Sequence, residues 1–304
     1  MVPLQPRLFP AKPVVWPKDK DLPDTPHTIR TEVWRDSSRR RWLTRLGRPV
    51  VHLLNRPSAA WLGRALYDLA LRCNGIAINF PGRHGLTEGE EAFLARHADK
   101  LRGGVLLDVG ANVGSYARHL RTLAPDARIL AFEPHPRTHA RLQDHLEGMG
   151  VETLALALND QGGSFELYDM AGEGSTQASL SRDAVGMYSA GVVAHQVQCA
   201  RLDDLLREKG IERVALLKID TEGHDLLVLR GAEQAIRERR IDMIQLEFIP
   251  ANIATHVTMR DIYAALPGYA LHRICLNGDL LPLGAYDVKR CEIYVTHNLV
   301  ALPV

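Results

Sequence analysis

The sequence predicts an α/β protein, a doubly wound and mostly parallel sheet preceded by an N-terminal helical extension. Three observations predict it. From about Gly103 onward, short apolar runs of strand length alternate with amphipathic runs of helix length, the pattern of a sheet covered on both faces. The strand-like runs end at acids, namely Asp108, Glu133, Asp160, Asp220 and Glu247. The chain then closes with two strand-like runs around an Asn277-Gly278 turn, which predicts one reversed edge element on an otherwise parallel sheet.

The 304 residues leave room for one such domain of about 200 residues plus an appendage. A net charge of +1 gives no electrostatic case for nucleic acid as a partner. Cys73, Cys199, Cys275 and Cys291 form no CxxC pair, so neither a zinc site nor a disulfide framework is signalled. Prolines interrupt the first residues where a secretion signal needs an apolar core, and a cytoplasmic protein is expected.

Residues 1–30 carry seven prolines and are expected to be an extended leader. Residues 31–85 are expected to form a helical extension, with an arginine-rich stretch from Trp34 to Leu54 and an apolar helix from Ala59 to Leu71. The arginine face is either solvated beside a packed stripe or in contact with a membrane surface or acidic carrier. Oligomeric state is open. The main domain is expected over 86–304, opening with a helix at Thr87 whose N-cap forms a capping box with Glu90. Strands follow at Val105–Val109, Arg128–Phe132, Val151–Leu158, Ser164–Tyr168, Val192–Cys199, Arg213–Asp220, Ile241–Phe248, Tyr269–Leu276 and Lys289–Thr296. Helices are expected over His135–Met149, Leu202–Glu208, Asp225–Arg239 and Thr258–Leu266, and Met170–Gly191 as a mobile lid.

The chemistry is anchored in Leu106–Glu133, a strand, glycine turn, helix and second strand. Glu133 lies roughly 20 residues past the turn, where a carboxylate accepts hydrogen bonds from both hydroxyls of a ribose. The turn Gly110-Ala111-Asn112-Val113-Gly114 has Asn112 where a dinucleotide site wants its middle glycine, and Asp108 stands just before it. A pyrophosphate is badly placed beside that acid. The cationic amino-acid tail of S-adenosylmethionine is well placed, its ammonium at Asp108 and its carboxylate at turn N–H groups. Asp160 is placed either for the adenine amino group or simply to make a turn.

The second anchor is Lys218-Ile219-Asp220-Thr221-Glu222-Gly223-His224. Methyl transfer needs donor and acceptor aligned, and an alcohol acceptor must lose a proton. Asp220 is the first choice to orient or deprotonate the acceptor, His224 a second base, and Glu222 a metal ligand or turn acceptor. Asp220 and Glu247, on neighbouring strands, are candidates to share a divalent metal, which the spacing permits without demanding.

These segments resemble the FkbM-type family of S-adenosylmethionine-dependent methyltransferases over roughly residues 105–275. The resemblance rests on DVGANVG at 108–114, FEP at 132–134, RLDDLL at 201–206, KIDTEGHDLLVLRGA at 218–232 and the IQLEF strand. It implies a Rossmann-like class I methyltransferase fold with a seven-stranded sheet. It also implies O-methylation of a small-molecule, secondary-metabolite or sugar hydroxyl. By the same resemblance Asp108, Gly110, Asn112 and Gly114 contact the methionine part of the donor and Glu133 the ribose, while Asp220 and Glu222 match a D-x-E-G signature. His224 departs from the family pattern, so no role carries over to it. A nicotinamide-dependent oxidoreductase and a non-catalytic cofactor-binding scaffold are the competing readings.

Overall fold

The computed structural model describes residues 47–170, 177–189 and 191–304. The chain divides into two compact units, Met1–Val51 and His52–Val304. The expected leader and most of the arginine-rich stretch lie outside the described residues; the described part of that stretch, 47–54, is helical.

In the larger unit, helix α1 (Ala60–Cys73) buries only Leu71 and exposes Trp61, Leu66, Tyr67 and Leu69. Helix α2 (Glu88–Leu101) has the expected capping box: Thr87 accepts from the Glu90 amide and Glu90 accepts from the Thr87 amide. It buries Phe93, Leu94 and Leu101, each worth about 1.5–3 kcal/mol on transfer from water. The alternating core follows: β1 (Val105–Val109), α3 (Ser115–Leu123), β2 (Arg128–Phe132), α4 (Pro136–His145) and β3 (Val151–Leu154). Then come β4 (Ala157–Leu158), β5 (Gly163–Met170), α5 (Arg182–Gly186), β6 (Val192–Ala200), α6 (Leu202–Glu208) and β7 (Leu216–Ile219). The rest is α7 (Asp225–Gly231), α8 (Glu233–Arg237), β8 (Ile244–Phe248), α9 (Ala251–Ala254), α10 (Met259–Ala265), β9 (Tyr269–Ile274), β10 (Leu280–Pro282), α11 (Val288–Cys291) and β11 (His297–Pro303).

The main sheet runs β10-β9-β11-β8-β7-β1-β2-β3. Strands β3, β2, β1, β7 and β8 are parallel, and their adjacent carboxyl ends place Asp108, Glu133, Asp220 and Glu247 at one edge of the domain. The sheet has eight strands rather than seven, because β9 turns back as a hairpin with β10. The final strand is 297–303, not 289–296. Asp287 caps a short helix there through the Lys289 amide, and β11 enters antiparallel between β8 and β9. The expected third strand also splits: Ala157–Leu158 leaves the main sheet and joins a three-stranded sheet, β4-β6-β5. That small sheet stands over the carboxyl edge of the large one and supplies an apolar wall.

Candidate active site

A cavity of about 340 Å³ opens at the carboxyl ends of β1, β2 and β7, within the size range of small-molecule sites and at the edge where open α/β sheets bind ligands. One side is apolar, formed by Leu156, Ala157, Leu158 and Leu167 with Ala178 and Leu180 of the expected lid. The lid is tied down there. Ser179 pairs with Tyr168 of β5, and its hydroxyl donates to the Glu222 carbonyl at 3.0 Å. Residues 171–176 and 190 lie outside the described residues.

Glu133 lies on the cavity wall with both oxygens fixed: Oε2 accepts from the Asn112 amide at 3.0 Å and Oε1 from the His135 amide at 2.8 Å. Burial nevertheless pushes its carboxyl up to about 7, the two amides pulling the other way. Asn112 takes a left-handed conformation, φ 49°, which turns its amide toward the acid; asparagine tolerates that conformation better than most residues. Gly110 has φ 79°, and a side chain there would run into the Asp220 carbonyl. Its smallness therefore serves the close approach of two neighbouring strand ends.

Four of the sequence-selected residues do not reach the wall: Gly114, Asp160, Asp108 and Glu247. Gly114 turns away, its Cα facing Leu142 and Leu146. It is small to let α4 pack. Asp160 lies off the cavity, its carbonyl accepting from Arg201 and its amide donating to Asn159 Oδ1. Asp108 is fully buried, with neither oxygen hydrogen-bonded. Lys218 Nζ stands 3.6 Å from it and 3.0 Å from Asp220. Burial raises the Asp108 carboxyl, with Lys218 opposing. Burial lowers the Lys218 ammonium, but Asp220, Asp108 and Glu90 outweigh it and hold the ammonium above the ordinary lysine range. The acid expected to meet a ligand is instead matched internally.

The D-x-E-G segment does reach the cavity: Asp220, Thr221, Glu222 and His224 all line it. Glu222 has φ 52°. Burial together with Asp220 and Asp225 pushes its carboxyl up to about 8, Lys218 opposing. His224 Nε2 is 3.2 Å from Asn159 Oδ1, an oxygen that already accepts the Asp160 amide, so Nε2 carries the proton. Burial lowers this imidazole to about 4, against Asp160, and it is neutral at pH 7. Asp225, which the sequence offered only as a helix start, is buried and accepts from the Thr221 amide at 3.0 Å and the Glu247 amide at 3.3 Å, locking the turn to β8.

Glu247 is half-buried and off the cavity wall. Burial, then Asp220, Glu222, Glu90 and Asp225, raise its carboxyl well above the usual range. Among the described residues no group of three or more histidine, cysteine or acidic side chains is arranged to hold a metal ion.

A buried polar chain that no sequence motif marks runs from this wall into the sheet. Tyr116 Oη donates to Gln245 Oε1 at 2.6 Å, and Gln245 Nε2 donates to Glu90 Oε1 at 2.9 Å. Lys218 Nζ stands 5.1 Å from the Tyr116 ring centre, a cation–π distance. The one available signal was a lysine inside the apolar run LLKI, a buried charge that requires acids around it.

A doubly wound sheet with a cavity and a backbone-held acid at its carboxyl edge has the Rossmann-like architecture of the class I methyltransferase type. The methyltransferase FkbM domain model matches residues 108–268, and the chain belongs to that family of methyltransferases. It is 26% identical over 178 residues to the 2-O-methyltransferase NoeI of Sinorhizobium fredii, covering 55% of this chain and 72% of that protein. It is 32% identical over 158 residues to the methyltransferase sdnD of Sordaria araneosa, covering 42% of this chain and 60% of the relative. The crystal structure of a methyltransferase FkbM from Methylobacillus flagellatus superposes with a TM-score of 0.41 at 15% identity, over 65% of this chain and 43% of that one; no role is carried over from that weak likeness. No helix among the described residues is long and apolar enough to cross a membrane.

Proposed function

We propose that this protein is an S-adenosylmethionine-dependent O-methyltransferase acting on a hydroxyl group of a small molecule, secondary metabolite or sugar. The observation that carries the donor is Glu133, held on the cavity wall by two backbone amides beside an apolar slot. Each oxygen keeps a lone pair for one ribose hydroxyl, and Leu156, Leu158 and Leu167 suit the flat face of an adenine. A diphosphate finds no such welcome, since the turn amide of Asn112 is already spent on Glu133.

Bound there, the donor supplies a methyl group on a positively charged sulfur. The chain's own part is to exclude water and manage one proton. Leu86, Ala178 and Leu180 give the cavity apolar lining that keeps water out once a ligand fills it. Asp220, held by Lys218 at 3.0 Å, is fixed to accept a hydrogen bond from the acceptor hydroxyl. Glu222 is the base: its affinity for a proton, raised to about 8, makes the carboxylate a stronger acceptor than an ordinary glutamate near neutral pH. His224, committed through Nε2 to Asn159, orients the turn that carries both acids. The 2-O-methyltransferase name of one relative supports oxygen as the acceptor atom.

The test is transfer of labelled methyl from S-adenosylmethionine into small molecules of a cell extract. Label in an alkali-stable ether is the expected result. Label only in alkali-labile esters overturns hydroxyl methylation, and nucleoside binding undiminished in Glu133→Ala overturns the site.

A further inference from the structure

This inference rests on the donor assignment above and concerns the charged tail of that donor. Four carboxylates reach the cavity wall: Glu90, Glu133, Asp220 and Glu222. Three are already committed. Glu133 is held by two amides at the apolar end, Asp220 is paired with Lys218, and Glu222 sits on the turn toward the acceptor side, in the field of Asp220 and Asp225.

Glu90, like Glu133 and Glu222, makes no ion pair among the described residues, but it alone stands at the Tyr116 and Lys218 end of the cavity with neutral partners: Gln245 Nε2 at 2.9 Å on Oε1, with the Thr87 amide at 3.0 Å and the Thr87 hydroxyl at 2.8 Å on Oε2. Those contacts fix its position without neutralising it. The same polar chain, through Gln245 and Tyr116, leads to the ammonium of Lys218, also on the wall. Lys218 is itself shared by Asp108 and Asp220, so the group that this end of the cavity can still receive is a cation, at Glu90. Asp108, by contrast, is sealed off the wall.

We propose that Glu90, not Asp108, receives the α-ammonium of the donor's amino-acid tail. Glu90 precedes the segment 108–268 that defines the family, so a residue outside that segment reads the charge of the cofactor. The capping box at the start of α2 then serves two ends, ordering the helix and aiming the carboxylate.

The test compares S-adenosylhomocysteine with 5′-methylthioadenosine, which lacks the amino-acid tail, by titration calorimetry on the full chain. Glu90→Gln removes the charge and keeps the box, because glutamine serves at that position. It is expected to weaken S-adenosylhomocysteine about tenfold, the scale of one charge-assisted hydrogen bond, and methylthioadenosine by less than about twofold. Thr87→Ala, which keeps the charge but removes the hydroxyl that helps aim it, is expected to shift the ratio of the two affinities less than Glu90→Gln does. Equal weakening of both ligands in Glu90→Gln, no weakening of either, or a ratio shifted equally by Thr87→Ala overturns the role of Glu90 while the donor assignment stands. Failure of the unaltered protein to bind either nucleoside overturns both.

Discussion

The two ends of the cavity are built in different ways. At the apolar end a single acid, Glu133, is positioned by backbone amides of Asn112 and His135. At the polar end Glu90, Tyr116, Lys218, Asp220 and Gln245 position one another through side chains drawn from α2, α3, β7 and β8 and the turn after β7. Backbone positioning is local, so it tolerates change elsewhere in the chain. A side-chain network is coupled, so removing one member disturbs the rest. The apolar end should therefore fail selectively, in binding, and the polar end collectively, in chemistry and stability together.

The largest expected effect lies at the polar end. Glu222→Gln should lower the rate of labelled methyl transfer about 10²–10⁴-fold, the usual worth of a general base, with nucleoside affinity nearly unchanged. Because the base acts when deprotonated and its carboxyl sits at about 8, the rate of the unaltered protein should climb as pH rises toward 8 and level off above. That limb should vanish in Glu222→Gln. A surviving limb of the same midpoint would move the base elsewhere, with Asp220 next in line.

Lys218→Met comes second and sharpens the contrast in stability. It strips the one ammonium shared by Asp108 and Asp220 and leaves a fully buried carboxyl unmatched. The expected cost is about 3–5 kcal/mol by denaturant unfolding, with partial recovery when Asp108→Asn is added. Glu133→Gln, which turns an amide group toward one backbone N–H, is expected to cost only about 1–3 kcal/mol. Equal losses would mean that the two ends are not built differently.

The same division explains what the sequence revealed. The turn at 108–114 and Glu133 sit within one supersecondary unit, so their spacing alone placed the acid beside the amide of Asn112. The D-x-E-G acids were legible because they end the most buried strand. What did not show was direction. Glycines Gly110 and Gly114 look alike in sequence, yet one faces a neighbouring strand end and the other a helix, and nothing in their spacing distinguishes these. Asp108 looked like a ligand acid because its partner, Lys218, lies 110 positions away along the chain and meets it only through the pairing of β1 with β7. Glu90 was legible as a helix cap and illegible as a cavity residue for the same reason. The split of the third strand was hidden because Ala157 and Leu158 are apolar in either sheet, and only pairing with Cys199 and Ala200 decides which.

The smallest expected effect concerns protons at the apolar end. Glu133 folds with its carboxyl raised from 4.5 to about 7 by burial, so the folded empty protein holds a proton there that the unfolded chain releases. That contribution to stability is complete below about pH 4.5 and is lost as pH rises through 7. Asp225, raised from 3.8 to about 7 by burial, acts in the same direction. The empty protein should thus become less stable between pH 5 and pH 8. Ribose hydroxyls favour the ionised form of Glu133, so nucleoside binding should release a proton below pH 7, and affinity should rise with pH by at most about tenfold per unit before levelling off. Calorimetry in two buffers of different ionisation enthalpy measures that proton directly. In Glu133→Gln the binding-linked proton should disappear while the stability slope from Asp225 and Glu222 persists, which separates an acid fixed by the backbone at the ligand from acids buried on the turn.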